Sequence, residues 1–476
     1  FDAQNSLALT YQCIAYTALD QNETALDICN DALRVDGDWG NRSPALAWRY
    51  RGNILEQAEQ DEQALVAYER TLLLEPDDSL TLAYQCRAYV NLGQYEQAID
   101  ACQSARSGNG HWQPENPGFA WYYEGVALTH LERYNPAIAA YDQSLEIDPN
   151  NAQTWTYQGL VLEKLNQFTE ALTSYTRAVE LAPTSSRALV GQCTMMNRLQ
   201  QYEAADAACQ QAIQGDGQWW SLGAAQAWNQ RAHALAGQNK YEEALAAVNR
   251  AVGMQPDYAA AWNTQGVIFW YIGTLQQGLY DTQGASDTYQ QAIVSVGKAL
   301  ELEPNDSLAW ANLGRYYRTL AQLWNDFGAL EPAAAHFQNA LAAYDQALKL
   351  APNDTETWVN KSVVHWFLGD YIQSRDAANR AVALDPNLAV AWQTQGAALV
   401  ALGDYESALI SYQNALLRDD ENADAWAGLG VVNLQLEDIE AGMAALKRAL
   451  QLNPNQAVAL KTLALIEEQQ AATTTD

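Results

Sequence analysis

The sequence predicts an all-α solenoid, a stack of helical hairpins without a β-sheet, and three periodic features predict it. Tryptophans recur at a fixed interval, as from Trp121 to Trp155 and from Trp358 to Trp392. Apolar residues within each period recur at spacings of three and four, as on one face of a helix. Small residues and a closing proline keep the same period, at Gly125, Gly159, Gly396 and Gly430, at Ala137, Ala171 and Ala408, and at Pro149, Pro183 and Pro386. Such a fixed period indicates stacked repeats rather than one compact core.

Each element of the period has a physical role. The small glycine and alanine allow two antiparallel helices to approach closely. The proline cannot continue the second helix, because it lacks an N–H and its ring clashes with the preceding turn. One period is therefore expected to contain two helices joined by a short turn.

This framework of tryptophan, glycine, alanine and proline resembles the tetratricopeptide repeat family, whose unit is a helix–turn–helix of about 34 residues. The resemblance implies a right-handed superhelical solenoid of about twelve such repeats between about Ser6 and Gln456. A C-terminal capping helix is expected from about Ala457. The resemblance also implies binding of proteins or peptides, although the family serves many unrelated settings.

Two central repeats are longer than the others. The interval from Trp262 to Trp310 equals that from Trp310 to Trp358, and both exceed the regular interval between tryptophans. The additional residues, divided between two helices, lengthen each helix by about two turns. We expect the two turns at 284–286, with Ser286 as the N-cap, and at 328–332, with Pro332 early in the second helix.

The predicted organisation has four parts. Residues 1–258 form repeats one to seven, three of which carry paired cysteines, and residues 259–354 form the two enlarged repeats. Residues 355–456 form three regular repeats, and residues 457–476 form the C-terminal helix and a threonine-rich tail.

The composition excludes several classes of function. The formal net charge of −31 repels nucleic acid and anionic lipid surfaces, and no basic patch compensates for it. No apolar run is long enough for membrane insertion. The five histidines are isolated, and no catalytic or metal-ligand spacing is present. We therefore expect a non-enzymatic protein that needs no cofactor and no metal.

The six cysteines form three couples, and the two members of each couple are separated by the same interval. One member of each couple occupies the eighth position of the repeat, in the first helix, where a small residue is expected. The other occupies position 24, in the second helix, where other repeats have tyrosine. No repeat has one cysteine without the other, which favours disulfide bonds over free thiols, and a two-sulfur metal site would be incomplete. The predicted pairs are Cys13–Cys29, Cys86–Cys102 and Cys193–Cys209.

The disulfide bonds predict an exported protein, extracellular or periplasmic, because stable disulfides form in oxidising compartments. The chain starts with Phe1 instead of methionine, and we expect that an export signal was cleaved upstream of it.

The first helices of the repeats are expected to line a concave groove, which is the usual binding surface of the family. Arg49 and Asn53 match two positions of the carboxylate clamp of some members, but Leu80 and Tyr84 follow where basic and amide groups are required. Towards the C-terminus the groove becomes apolar and could hold an apolar segment. Alternatively, these apolar residues cover one another in a narrow superhelix. The groove residues are Val359, Val363, Trp366, Ala397, Val400, Val431 and Leu434.

Apolar residues near both ends predict self-association. Residues 3–19 carry no charge, and the final helix should expose two apolar residues on the side away from Leu460 and Leu463. Unlike faces at opposite ends produce a head-to-tail homopolymer unless the rotation closes a ring. The predicted contact residues are Leu7, Leu9, Tyr11, Tyr16, Val458 and Leu465.

Two functions therefore compete. The first is an exported structural filament or array that assembles end to end. The alternative is an exported adaptor that binds a peptide or a partner protein in the concave groove. A first helix that folds its apolar side inward would favour the adaptor.

Overall fold

The structure of the protein is a computed structural model, which describes residues 5–35, 37, 39 and 43–473, with side chains up to residue 468. The described residues form 25 α-helices and no β-strand. The predicted all-α helical repeat solenoid is thus confirmed. Thr474 and Thr475 of the predicted tail lie outside the described residues, as do Phe1 and the start of the uncharged N-terminal segment.

The chain divides into two compact units, Phe1–Gln238 and Asn239–Asp476. In the first unit, six helical hairpins are followed by a thirteenth helix. Its helices are α1 (Ser6–Ala18), α2 (Asn22–Ala32), α3 (Ala45–Gln57), α4 (Asp61–Leu74), α5 (Ser79–Asn91), α6 (Tyr95–Ser107), α7 (Pro117–His130), α8 (Tyr134–Ile147), α9 (Ala152–Lys164), α10 (Phe168–Leu181), α11 (Ser186–Arg198), α12 (Tyr202–Ile213) and α13 (Gly223–Gly237).

The second unit starts with α14 and continues with five hairpins and a final helix. Its helices are α14 (Tyr241–Met254), α15 (Ala259–Gly278), α16 (Thr282–Leu302), α17 (Ser307–Asp326), α18 (Leu330–Leu350), α19 (Thr355–Phe367), α20 (Tyr371–Leu384), α21 (Ala389–Ala401), α22 (Tyr405–Arg418), α23 (Ala423–Gln435), α24 (Ile439–Leu452) and α25 (Ala457–Thr473).

The periodic tryptophan and proline are joined by a hydrogen bond. The indole Nε1 of Trp155 donates to the carbonyl oxygen of Pro149 at 3.0 Å, and Trp392 donates to Pro386 at 2.9 Å. Because proline ends a helix and leaves carbonyl groups unsatisfied, an indole N–H from the next helix is a suitable partner. The same bond recurs at Trp262, Trp310 and Trp358.

Buried tyrosines fill the space between the two helices of a hairpin. Tyr141 and Tyr344 are completely buried, each with its ring against a glycine of the first helix. The phenol hydroxyl usually bonds to the residue that precedes the tyrosine by 12 positions. Examples are Tyr141 with Thr129 at 2.9 Å, Tyr68 with Glu56 at 2.7 Å and Tyr289 with Gln277 at 2.8 Å.

Three hairpins of the first unit contain a disulfide bond in place of this tyrosine. All six cysteines are paired as predicted, with Cα–Cα distances of 5.2–5.4 Å, and they are completely buried. The bonds join α1 to α2, α5 to α6 and α11 to α12. Two sulfur atoms thus occupy the place of one aromatic ring between the paired helices.

The four helices α15–α18 contain 20 or 21 residues, whereas most others contain 13 or 14. The predicted turn at 284–286 is wrong, because α16 begins at Thr282 and Ser286 lies inside it. Asp281 is the N-cap instead, and its side chain accepts a hydrogen bond from the backbone of Gly284 at 3.0 Å. Pro332 lies in the first turn of α18, as expected.

Candidate binding groove

A cavity of about 500 Å³ lies among the last helices of the second unit. Its floor is formed by α19, α21 and α23, the first helices of three consecutive hairpins, and the start of α25 forms one wall. Val363, Ala397 and Val431 occupy equivalent positions in these three hairpins and line the cavity together. The repeat period therefore brings residues that are distant in sequence to one surface.

The apolar part of the cavity contains an accessible aromatic residue. The side chain of Trp366 is 41% exposed and packs edge-on against Phe367, with ring centroids 5.3 Å apart. Phe367 is in turn stacked on Phe337 at 5.1 Å. One side of Trp366 thus packs on Phe367, and the rest of its surface is accessible for apolar contacts.

A tyrosine hydroxyl provides the first polar feature of the cavity. Tyr412 lines the cavity, and the residue 12 positions before it is Val400, which cannot bond to the phenol. Among the described residues, the Tyr412 hydroxyl has no hydrogen-bond partner. A Cβ atom at Gly428 would lie 2.6 Å from the Tyr412 oxygen, so the glycine leaves room for this hydroxyl. Burial raises the pKa of Tyr412 well above its usual value, and the nearby Asp424 raises it further.

Asp424 provides the second polar feature. It is exposed at the cavity and accepts a hydrogen bond from Nε2 of Gln456 at 3.1 Å. In the part of the chain that the structure describes, no lysine or arginine forms an ion pair with Asp424, and none lines the cavity. The cavity is therefore apolar with one negative charge at its side.

The predicted groove residues separate into two sets. Val363, Trp366, Ala397, Val400 and Val431 line the cavity. Val359 is buried in a cluster with Ala381 and Ala391, and Leu434 packs against the cluster around Leu446. These last two residues face neighbouring helices and are part of the core.

Tyr412, Asp424 and Phe367 line the cavity but were not predicted from the sequence. The position of Tyr412 belongs to the core in the other hairpins that have a tyrosine there. One feature of the sequence could have indicated it. The tyrosines equivalent to Tyr412 form hydrogen bonds with Thr129 or Glu56, whereas the corresponding residue here is Val400, which cannot form one.

Arg49 and Asn53, the two residues that match clamp positions, form contacts within the chain. Arg49 donates to the buried carboxylate of Asp78 at 2.9 Å, and Asn53 accepts a hydrogen bond from Tyr68 at 2.8 Å. The Arg49 contact therefore joins one hairpin to the next, and the Asn53 contact joins the two helices of one hairpin.

The predicted self-association residues are placed differently from one another. Leu7 and Tyr11 line a shallow apolar depression on α1, and Leu9 is half-buried. Tyr16 instead packs inward on the cluster of Cys13 and Cys29, so it is not part of the exposed face.

On α25, Val458 and Leu465 are about half exposed. Leu460 is exposed to the same extent, contrary to the expectation that it lies on the covered side. Val458 also forms part of the wall of the cavity. The apolar surface of α25 is therefore wider than the sequence indicated.

Within the described ranges, no three His, Cys, Asp or Glu side chains are grouped so that they could hold a metal ion. None of the helices described here has the length and apolar character needed to cross a membrane.

Comparison with known proteins finds the same repeat in residues 119–173 and in three segments between residues 229 and 457. Three family models described as tetratricopeptide repeat match residues 229–281, 333–389 and 394–457, residues 119–151, and residues 140–173. Human tetratricopeptide repeat protein 28 is 29% identical over 123 residues, which cover 24% of this chain and 5% of that protein. The Hsp70-Hsp90 organising protein of Plasmodium falciparum is 24% identical over 106 residues, or 22% of this chain and 19% of that protein.

A chain of the APC/C hetero-tetramer Cut9-Hcn1 has a similar fold, with a TM-score of 0.51 over 96% of this chain and 95% of that one. Its sequence identity of 14% means that the likeness shows the fold alone. The human relative is matched over only a small part of its length, so its similarity concerns the repeats. The helical hairpins, the periodic residues and the family matches establish that this chain belongs to the tetratricopeptide-repeat family.

Proposed function

We propose that this tetratricopeptide-repeat protein is a non-enzymatic scaffold for protein–protein interaction whose C-terminal groove holds an apolar helical segment of a partner. The observation that carries the proposal is the cavity along α19, α21 and α23, with its accessible Trp366. An amphipathic helix buries its apolar face in such a groove through residues on one stripe. The relative named as an Hsp70-Hsp90 organising protein is in keeping with a scaffold role.

Val431→Asp is expected to weaken binding of an amphipathic peptide by about tenfold or more, because a carboxylate would be desolvated on the floor of the groove. Val431 lines the cavity from α23, at the position equivalent to Ala397 in α21. The measurement is fluorescence anisotropy of a labelled leucine- and alanine-rich helical peptide titrated with the full chain.

Leu417→Asp is the matched control. Leu417 is 81% exposed on α22 and does not line the cavity, so the same added charge should leave the affinity unchanged. Equal weakening by both variants would mean that the peptide does not bind in the groove.

An oxidising compartment is part of the same proposal. Three disulfide bonds in one unit support an exported location, extracellular or periplasmic, since reducing compartments keep thiols free.

A second candidate function is end-to-end self-assembly into a filament or array. It is favoured by the apolar depression on α1, which is lined by Leu7, Ala8, Tyr11 and Ala15 among others, and by the exposed leucines of α25. An apolar face of α1 in one copy could cover the unlike face of α25 in the next. Repetition of that heterologous contact produces a fibre.

Tyr11→Glu combined with Leu465→Glu is expected to convert any assemblies into monomers, because each change places a charge on one of the two apolar faces. Tyr16 is unsuitable for this test because it packs inward. The measurement is sedimentation velocity of the full chain over a range of concentrations, with Leu417→Glu as control. A wild-type protein that remains monomeric at high concentration would remove this candidate.

A further inference from the structure

We propose that the segment held in the C-terminal groove carries a lysine or arginine side chain, whose cationic head pairs with Asp424 while its aliphatic stem lies along the apolar floor. This inference rests on the proposed groove function and specifies the chemistry of the ligand. Among the described residues, it follows from the charge on one side of the cavity, from the free hydroxyl beside it, and from the absence of any cation that serves either group.

The first step concerns charge. Asp424 receives one hydrogen bond, from Gln456, and no ion pair among the described residues. The basic side chains of α19 and α22 are engaged elsewhere. Lys361 is paired with Asp345, and Arg418 donates to the carbonyl oxygen of Pro386. A cation of the ligand can therefore pair with Asp424 without breaking an ion pair within the described chain.

The second step concerns the position of the Tyr412 hydroxyl. Its oxygen is directed to Gly428, which follows Asp424 by four residues in α23. Residues four apart lie one above the other on a helix, about 5–6 Å between Cβ atoms. The Asp424 carboxylate and the Tyr412 hydroxyl thus lie on one face of α23, where one ammonium or guanidinium group can donate to both.

The third step concerns the other polar side chains of the cavity, each of which has a hydrogen-bond partner within the chain. Ser362 donates to the backbone oxygen of Ser374 at 2.8 Å, and Gln393 accepts from Asn422 at 2.9 Å. Thr394 donates to the carbonyl oxygen of Ala391 at 3.0 Å. The Tyr412 hydroxyl has no such partner and Asp424 has no cationic one, so these two groups are available to contact a polar group of the ligand.

The fourth step concerns the rest of the ligand side chain. Lysine and arginine have long aliphatic stems that pack on apolar surface while the charged head stays partly hydrated. Val400 and Val431 offer such a surface next to Tyr412 and Asp424. An acidic side chain would instead meet Asp424 in a chain with a net charge of −31.

The experiment uses the full chain and three versions of a designed amphipathic helix of leucine and alanine with glutamine spacers. The peptide has about 18 residues, enough for helix formation. A single lysine is placed in turn at each position of the apolar face of the peptide. At the position that gives the tightest binding, the lysine is then replaced by norleucine or by glutamate. Binding is measured by fluorescence anisotropy for the wild type, for Asp424→Asn and for the control Glu440→Gln, which removes an exposed carboxylate outside the cavity.

We expect the wild type to bind the lysine peptide about tenfold more tightly than the norleucine peptide, and the glutamate peptide more weakly still. Asp424→Asn should abolish the preference for lysine, while Glu440→Gln should retain the preference.

Two outcomes would overturn the inference. If the wild type binds the norleucine peptide as tightly as the lysine peptide, or if Asp424→Asn keeps the preference for lysine, Asp424 does not bind a cation of the ligand. In that case only this inference fails. If none of the three peptides binds the wild type, the proposed groove function fails, and the inference fails with it.

Discussion

Reduction of the three disulfide bonds is expected to destabilise the first unit by about 3 kcal/mol for each bond, because each bond restricts the unfolded chain. The sequence separation within each pair is 16 residues. Each bond also takes the place of the tyrosine found in several other hairpins, and two separate thiols need more space than the bonded sulfur atoms, so reduction would disturb the packing of the interior. The three bonds lie in different hairpins, and their effects should be roughly additive except where hairpins are in contact.

The measurement is hydrogen exchange of the full chain with and without a reductant at the same pH. Amides of the helices that carry the cysteines, α5 and α6 among them, should exchange faster after reduction. Helices α19–α22 contain no cysteine and serve as the internal control. Unchanged protection of α5 and α6 in a fully reduced sample would show that the bonds contribute nothing to stability.

Gly314→Ala is expected to destabilise the protein by about 2 kcal/mol, because the added methyl group overpacks a filled interior. A Cβ atom at this position would lie 2.5 Å from two carbon atoms of the Tyr344 ring. Tyr344 is completely buried between α17 and α18 and cannot move aside. The shift in the midpoint of urea unfolding, followed by far-UV circular dichroism, measures the effect.

Gly297→Ala is the matched control for this substitution. Gly297 lies inside α16, and a Cβ atom there would have nothing within 4 Å. Alanine should therefore stabilise the protein by about 0.5–1 kcal/mol through its higher helix propensity. Stabilisation by both substitutions would contradict the role of Gly314 in close packing.

The fold could be predicted from the sequence because the same few contacts recur from repeat to repeat. The tryptophan bonds to the carbonyl oxygen of the proline before it, and the glycine lies under a buried tyrosine. Each such contact fixes a residue type, so the period is visible without an alignment. The cysteine pairs were predictable for the same reason, since both members occupy fixed positions of the repeat.

Individual side-chain orientations were less predictable, because they depend on neighbours that the period does not specify. Tyr16 was expected outside but packs on the first disulfide bond, and Val359 was expected in the groove but lies in the core. The turn of the first enlarged hairpin was misplaced because Asp281 caps α16 in place of Ser286.

The polar side of the groove was missed for a related reason. Tyr412 has the position of a core tyrosine, and its role in the cavity depends on the absence of a polar residue at Val400 and of a side chain at Gly428. Because the role of Tyr412 depends on groups that are absent from neighbouring positions, no sequence motif marks it.

The claim that the C-terminal groove binds a partner segment is tested most directly by hydrogen exchange of the full chain with and without a saturating amphipathic peptide that carries lysine. We predict slower exchange in α19, α21, α23 and the start of α25, which supply most of the residues that line the cavity, and unchanged exchange in α3 and α5. Protection that appears only on α1, or on the second helices of the hairpins without change in α21 and α23, would contradict the claim.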